Sequence, residues 1–226
     1  HCNKFIKPSN ATLIIVGDIN HEEVFKSINT YFGNWKAKTN NKLPILKPNV
    51  PANSKSKIYI IDKPGAAQSL IRTGHLTIPR NHKEYLPLSF NNYLFGGHFA
   101  ARLNMNLRQD KGYTYGAYSS LGSSRYGVSK FRAGAKVRNM VTDSAVSEIV
   151  KEISRIRLER VDSELLKNAK AKYVGSFIRN AENPQTIAGY ALNIKLNNLE
   201  DDYYESYLEN INSVTEADVK RAANKY

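Results

Sequence analysis

The sequence predicts an α+β fold: a mixed, largely antiparallel sheet with helices packed on one face. Two observations carry this expectation. Short apolar or alternating runs, bounded by Pro and Gly, mark strands interspersed with helices over the first 137 residues. From Thr142 to the end, segments with apolar residues at helical spacing follow one another without an intervening strand pattern. Helices gathered after the sheet indicate a layered α+β domain, not a strict βαβ winding.

Ala11–Gly17 (ATLIIVG) is nearly continuous in apolar residues and is expected as a buried strand. Asp18 or Asn20 caps a helix whose apolar face carries Val24, Ile28, Tyr31 and Phe32 and which stops at Gly33. A Pro/Asn/Lys-rich stretch from Lys36 to Lys57 reads as a linker. Lys57–Asp62 and Gln68–Leu76 are two further strands joined by a Pro64-Gly65 turn, and Pro79 ends the second. The helix from about Asn81 to Phe95 tolerates Pro87 only in its first turns or at a kink.

Beyond it, Thr114–Leu121 and Tyr126–Val137 alternate and form an antiparallel pair. A helix from Thr142 to about Leu158 carries Val146, Ile149, Val150 and Ile153 at helical spacing. Another starts at Asp162, and a third near Pro184 has Ile187, Ala191, Ile194 and Leu196 on its buried side. The last helix has Thr215 as its N-cap and Asp218 three residues on, a relative of the capping box.

The most informative stretch is Asn91 to Ser120, NNYLFGGHFAARLNMNLRQDKGYTYGAYSS. Its apolar period breaks at Gly96-Gly97, resumes as a helix, stops at Gly112 and gives way to alternating aromatic residues. Arg108 lies near the helix end and Tyr115 on the following strand. In one reading Arg108 offsets the helix dipole and Tyr115 is ordinary strand filling. In the other, the corner brings a guanidinium and a phenol to one side, where both donate hydrogen bonds to a carbonyl.

The wording of this stretch resembles the C-terminal half-domain of the pitrilysin/insulinase group of zinc peptidases. That inverzincin family includes the mitochondrial processing peptidases and many bacterial homologues. The matching residues are Gly96, Gly97, Phe99, Arg102, Leu103, Leu107, Arg108, Lys111, Gly112, Thr114 and Tyr115. Residues near 8–18, 63–69 and 211–226 also resemble the family.

The resemblance implies a fold similar to the LuxS/processing-peptidase-like metallohydrolases. Residues 1–56 would be the end of the preceding half plus a linker, and residues 57–226 the C-terminal domain. It implies that Arg108 and Tyr115 hold substrate peptide and support the transition state near zinc bound by the other half-domain. The implied partners are a peptide or unfolded polypeptide and an N-terminal zinc-bearing half or partner subunit, in a homo- or heterodimer. Substrate is expected to add as a strand to a sheet edge. The fragment alone is expected to be inactive, its parent being a zinc-dependent metalloendopeptidase. The alternative is a non-catalytic partner subunit or scaffold of the same fold.

The family's zinc motif, H-x-x-E-H, is absent from the five histidines His1, His21, His75, His82 and His98. No zinc and no other cofactor is therefore expected in this chain. His21 and His82 read as helix-start residues and His75 as a partly buried strand residue. His98 follows the glycine pair; it is either a surface histidine at a helix start or, with Gly97, a substrate contact. No G-x-S-x-G elbow or phosphate-binding glycine loop occurs. One cysteine, Cys2, excludes an internal disulfide framework.

The net charge of +13 raises nucleic acid as a third class of partner. Eight Lys/Arg stand against one acid, Asp110, between Arg102 and Arg138. No run of consecutive bases, zinc-finger spacing or RNA-recognition signature accompanies them, so no specific nucleic-acid binding is expected. The basic stretch is expected to face a groove, because so many cations are not buried without partners. No run reaches the roughly 18 apolar residues of a membrane span. The polar opening HCNKFIKPSN reads as mid-chain, which leaves bacterial envelope, periplasm and cytoplasm open.

Overall fold

The computed structural model describes residues 6–36, 55–124 and 127–226. His1, Cys2, most of the expected linker and the first residue of the expected strand at Tyr126 lie outside them. In chain order the elements are α1 (His21–Phe32), β1 (Gln68–Thr77), α2 (Tyr85–Asn92), α3 (Arg102–Asn104), β2 (Ala117–Leu121), β3 (Ser129–Arg138), α4 (Thr142–Leu158), α5 (Ser163–Ala181), α6 (Pro184–Asn197), α7 (Tyr207–Ser213) and α8 (Glu216–Lys225). Two π-helical turns, Tyr93–Gly97 and Met105–Asp110, extend α2 and α3. The chain divides into two compact units: His1–Leu46 with Gly175–Asp201, and Lys47–Val174 with Asp202–Tyr226.

In the first unit, the Asn20 side chain accepts from the backbone N–H groups of Glu22 (2.9 Å) and Glu23 (3.3 Å), fixing the start of α1. Asn183 caps α6 in the same way, with Pro184 at the first helical position. Phe177 at the end of α5 stacks on Tyr190 of α6, with ring centroids 5.2 Å apart.

Two expectations fail here. Ala11–Gly17 is not a strand, and Leu13, Ile15 and Val16 are exposed. An apolar run becomes a strand only where a second backbone accepts from its N–H groups and donates to its C=O groups, and none among the described residues does. On α6, Ile187, Ala191 and Leu196 are exposed instead of buried. An apolar stripe is buried only when something covers it.

The second unit holds a three-stranded antiparallel sheet in the order β1-β3-β2. Its register pairs Gln68 with Arg138 and Thr77 with Ser129 on one side of β3, and Ala117 with Ala135 on the other. Residues paired across strands share a face, so Val137, Ala135, Ala133 and Ala117 point inward and are buried. These small residues suit close packing of helices on that face. Lys57–Asp62, expected as a strand, has no ladder partner among the described residues, and Ile58, Tyr59, Ile60 and Ile61 are almost fully exposed.

Phe90, Leu103, Leu107, Ile149, Ile211 and Val219 form the centre of the core. On α4 the buried face is Ala145, Ile149, Glu152 and Ile156, while Val146 and Val150 face outward. That shifts the expected stripe by one residue and brings a carboxylate inside. The Arg80 guanidinium is sandwiched between the rings of Tyr85 (4.6 Å) and Tyr203 (4.8 Å). Pro87 sits in the first turn of α2, where its missing N–H costs no helical hydrogen bond.

The last helix is fixed twice. The Thr215 hydroxyl accepts from Asp218 N (3.2 Å) and the Asp218 carboxylate accepts from Thr215 N (2.9 Å), a complete capping box. Glu84, ahead of α2, accepts from Lys225, Tyr226 and Arg221. The Lys225 hydrogen bond, then that of Tyr226, lowers the Glu84 carboxyl from 4.5 to about 2. A depressed carboxylate stabilises the fold above its unfolded value and loses that contribution as pH falls through its folded value. Wild type should therefore exceed Glu84→Gln in denaturation midpoint by a constant margin above about pH 4.5, a margin that shrinks towards pH 2. A margin independent of pH would remove Glu84 from this role.

Candidate functional site

The corner between α2 and β2 is built from buried polar groups and two glycines. At Gly96 an added Cβ would lie 2.7 Å from the backbone nitrogen of Ser119, so only glycine allows this approach to β2. The Ser119 hydroxyl donates to Asn92 Oδ1 at 2.7 Å, tying β2 to the end of α2. Asn104 is fully buried; its Oδ1 accepts from Ala117 N (2.9 Å) and its Nδ2 donates to Phe99 O (2.6 Å). One side chain thus fastens the segment before α3 to the first residue of β2.

The turn Met105–Asp110 is π-helical, a local widening frequent at functional sites. Gly112, at φ +62°, closes it, and Tyr113 N donates back to Leu107 O at 2.9 Å. The Thr114 hydroxyl donates to Lys136 O (2.6 Å) and accepts from Gly116 N (3.1 Å), setting the chain beside β3.

Arg108 leaves this π turn half-buried. Its guanidinium lies over the Phe99 ring, 4.4 Å from the centroid, and makes no hydrogen bond or ion pair with any described residue. Tyr115 follows the corner with 92% of its surface exposed, its hydroxyl likewise without a partner among the described residues. The two side chains do not bond to each other. Among the described residues Arg108 has no carboxylate partner, and Tyr115 is not in the core.

His98 is not the open helix-start residue expected. It follows the first π turn in extended conformation, half-buried, with its ring 4.2 Å from that of Tyr93 and its Nδ1 accepting from Ala100 N (3.1 Å). Burial, with the charge of Lys172, lowers its pKa and favours the neutral ring. Gly97 beside it is exposed. His75, expected as partly buried, is exposed on β1 and packs on Phe131.

Beneath the corner lies a network that sequence reasoning missed. Glu152 is 1% exposed; Arg155 donates to it at 2.8 Å and the Arg102 Nε stands 3.5 Å away. Asn106 donates to both Glu152 and Glu148 at 2.8 Å, and this bond chiefly lowers the Glu148 pKa. Arg102 and Asn106 lie on the helical segment that leads to Arg108, so Glu152 and Glu148 of α4 hold that segment. The detectable signal was a Glu at an apolar helical position, between Ile149 and Ile156.

Among the described residues no three His, Cys, Asp or Glu side chains gather to hold a metal ion. His82 is occupied in accepting from Glu84 N (3.1 Å). No helix among the described residues is long and apolar enough to cross a membrane.

The chain belongs to the peptidase M16 inactive domain family, whose model matches residues 2–173. It is 23% identical over 226 residues to the zinc protease PqqE of Helicobacter pylori, covering 98% of this chain and 50% of that protein. It is 24% identical over 222 residues to the probable inactive metalloprotease YmfF of Bacillus subtilis, covering 97% and 50%. The crystal structure of a Helicobacter pylori protease superposes with a TM-score of 0.89 at 22% identity, over 99% of this chain and 54% of that one. The chain thus spans about half the length of the curated relatives it matches.

Proposed function

We propose that this chain is the zinc-free half of a zinc metalloendopeptidase, closing a peptide-binding chamber against a zinc-bearing half or partner subunit. Residues 1–56 would be the end of that preceding half, and residues 57–226 the domain that carries the corner. The observation that carries the reading is the pair of uncommitted donors, Arg108 and Tyr115, on a corner held by buried hydrogen bonds and charge. A guanidinium resting on an aromatic face keeps its N–H edge free for a peptide carbonyl or carboxylate. The Tyr115 phenol donates to the oxyanion formed as water attacks the scissile carbonyl. Zinc on the other half would supply activation of that water. The run Lys57–Asp62, without a ladder partner among the described residues, offers backbone groups to which such a half, or the substrate itself, adds as a strand.

In the full-length protein, Arg108→Ala is expected to reduce cleavage of a quenched-fluorescent peptide roughly tenfold to a hundredfold, the worth of one hydrogen bond from a charged donor. Arg108→Lys should recover part of the loss, since it keeps the charge but not the planar fork. Equal activity in wild type and Arg108→Ala would remove Arg108 from the site. The name of the Bacillus relative favours a second reading, a non-catalytic subunit or scaffold. Absence of H-x-x-E-H from the full-length protein would select it.

A further inference from the structure

The outward face of the sheet is strongly cationic, and nothing in the reading so far uses it. Along β3, Lys130, Arg132, Lys136 and Arg138 alternate with inward residues and are exposed. The row is interrupted at Gly134, which has no side chain, but the residue opposite Gly134 on β1 is Arg72, also exposed. Five cations therefore form an almost continuous line. None makes an ion pair with a described residue. The remaining outward positions in register are Gln68, Leu70, Gly74 and Leu76 on β1 and Tyr118 and Ser120 on β2, so no acid occupies an outward position of the three strands. The line begins beside the corner, because the Thr114 hydroxyl bonds to the Lys136 carbonyl.

We infer that this face docks an acidic, extended segment of polypeptide, which makes acidic peptides the favoured substrate class. The inference rests on the reading that the chain handles polypeptide. Side chains on one face of a strand repeat about every 6.7 Å, and an extended peptide presents alternate side chains at the same interval. Glutamates two residues apart therefore match Lys130 with Arg132 and Lys136 with Arg138. Exposed Leu70, Leu76 and Tyr118 supply apolar contact between the charges. A platform for single-stranded nucleic acid stacks its bases on several aromatic rings, and the outward positions here include a single one, Tyr118.

The test uses full-length protein and three probes: a short capped peptide of alternating Glu and Gly, its Lys/Gly counterpart, and a thymidine oligonucleotide of equal charge to the first. The acidic peptide should bind, the basic one should not, and added salt should weaken binding. Replacing Arg132, Lys136 and Arg138 together with Gln should weaken binding of the acidic peptide about tenfold, three exposed charge contacts being lost. The charge-preserving set Arg132→Lys, Lys136→Arg and Arg138→Lys should stay within about threefold of wild type, which separates charge from folding. Unchanged binding in the Gln variant would overturn the inference. So would oligonucleotide binding as tight as that of the acidic peptide, which would make the face a general polyanion surface. Binding is read without cleavage, so its failure is distinct from failure of the roles given to Arg108 and Tyr115.

Discussion

Tyr115→Phe should slow peptide cleavage by the full-length protein on the order of a hundredfold or more, with little change in stability. Losing one donor aimed at a developing oxyanion costs about 2.7–4 kcal/mol. The expectation is sharp because the substitution removes only a hydroxyl that bonds to no described residue and lies on a side chain 92% exposed. An exposed change of this kind shifts stability within about 0.5 kcal/mol. The loss should fall on kcat more than KM, since the oxyanion exists only as the reaction proceeds. A loss confined to KM would make Tyr115 a ground-state contact.

Glu152→Ala should destabilise the protein by about 3 kcal/mol, measured by chemical denaturation. Breaking a buried ion pair by removing one partner commonly costs about 3–5 kcal/mol because the other charge loses its compensation. The lower end applies here, since Arg102 keeps Glu159 at 3.3 Å and Asn106 keeps Glu148 at 2.8 Å. Glu152→Gln should cost less, because an amide oxygen still accepts from Asn106 or Arg155. The variant should also lose activity beyond its loss of folded protein, because the helix bearing Arg108 is no longer fixed to α4. A cost for Glu152→Ala below about 1 kcal/mol would mean that the carboxylate does not hold the corner.

The elements were legible where periodicity coincided with a local stop signal. Thr142–Leu158, the Asn20 and Thr215 caps and the β2–β3 pair needed no knowledge of tertiary partners. The runs Ala11–Gly17 and Lys57–Asp62 misled because β-pattern reports what a side chain favours, not whether a second backbone is present. The π turns left no pattern, since one extra residue in a turn changes the hydrogen-bond register without altering composition. Arg108 and Tyr115 stand out through the wording of their motif and not through period or charge. Asn104 and Glu152 were passed over because each is a polar residue in an apolar period; each then proves to be a buried anchor with specific partners.

The central claim is that Arg108 and Tyr115 act together on one peptide. A double-mutant cycle in the full-length protein tests it most directly, with kcat/KM for peptide cleavage measured in Arg108→Ala, Tyr115→Phe and the double variant at matched folded concentration. Two donors gripping the same reacting segment predict large single losses and a double loss clearly smaller than their product, because the first substitution already releases the geometry that the second needs. Full activity in both single variants, or losses that multiply as independent sites do, would contradict the account.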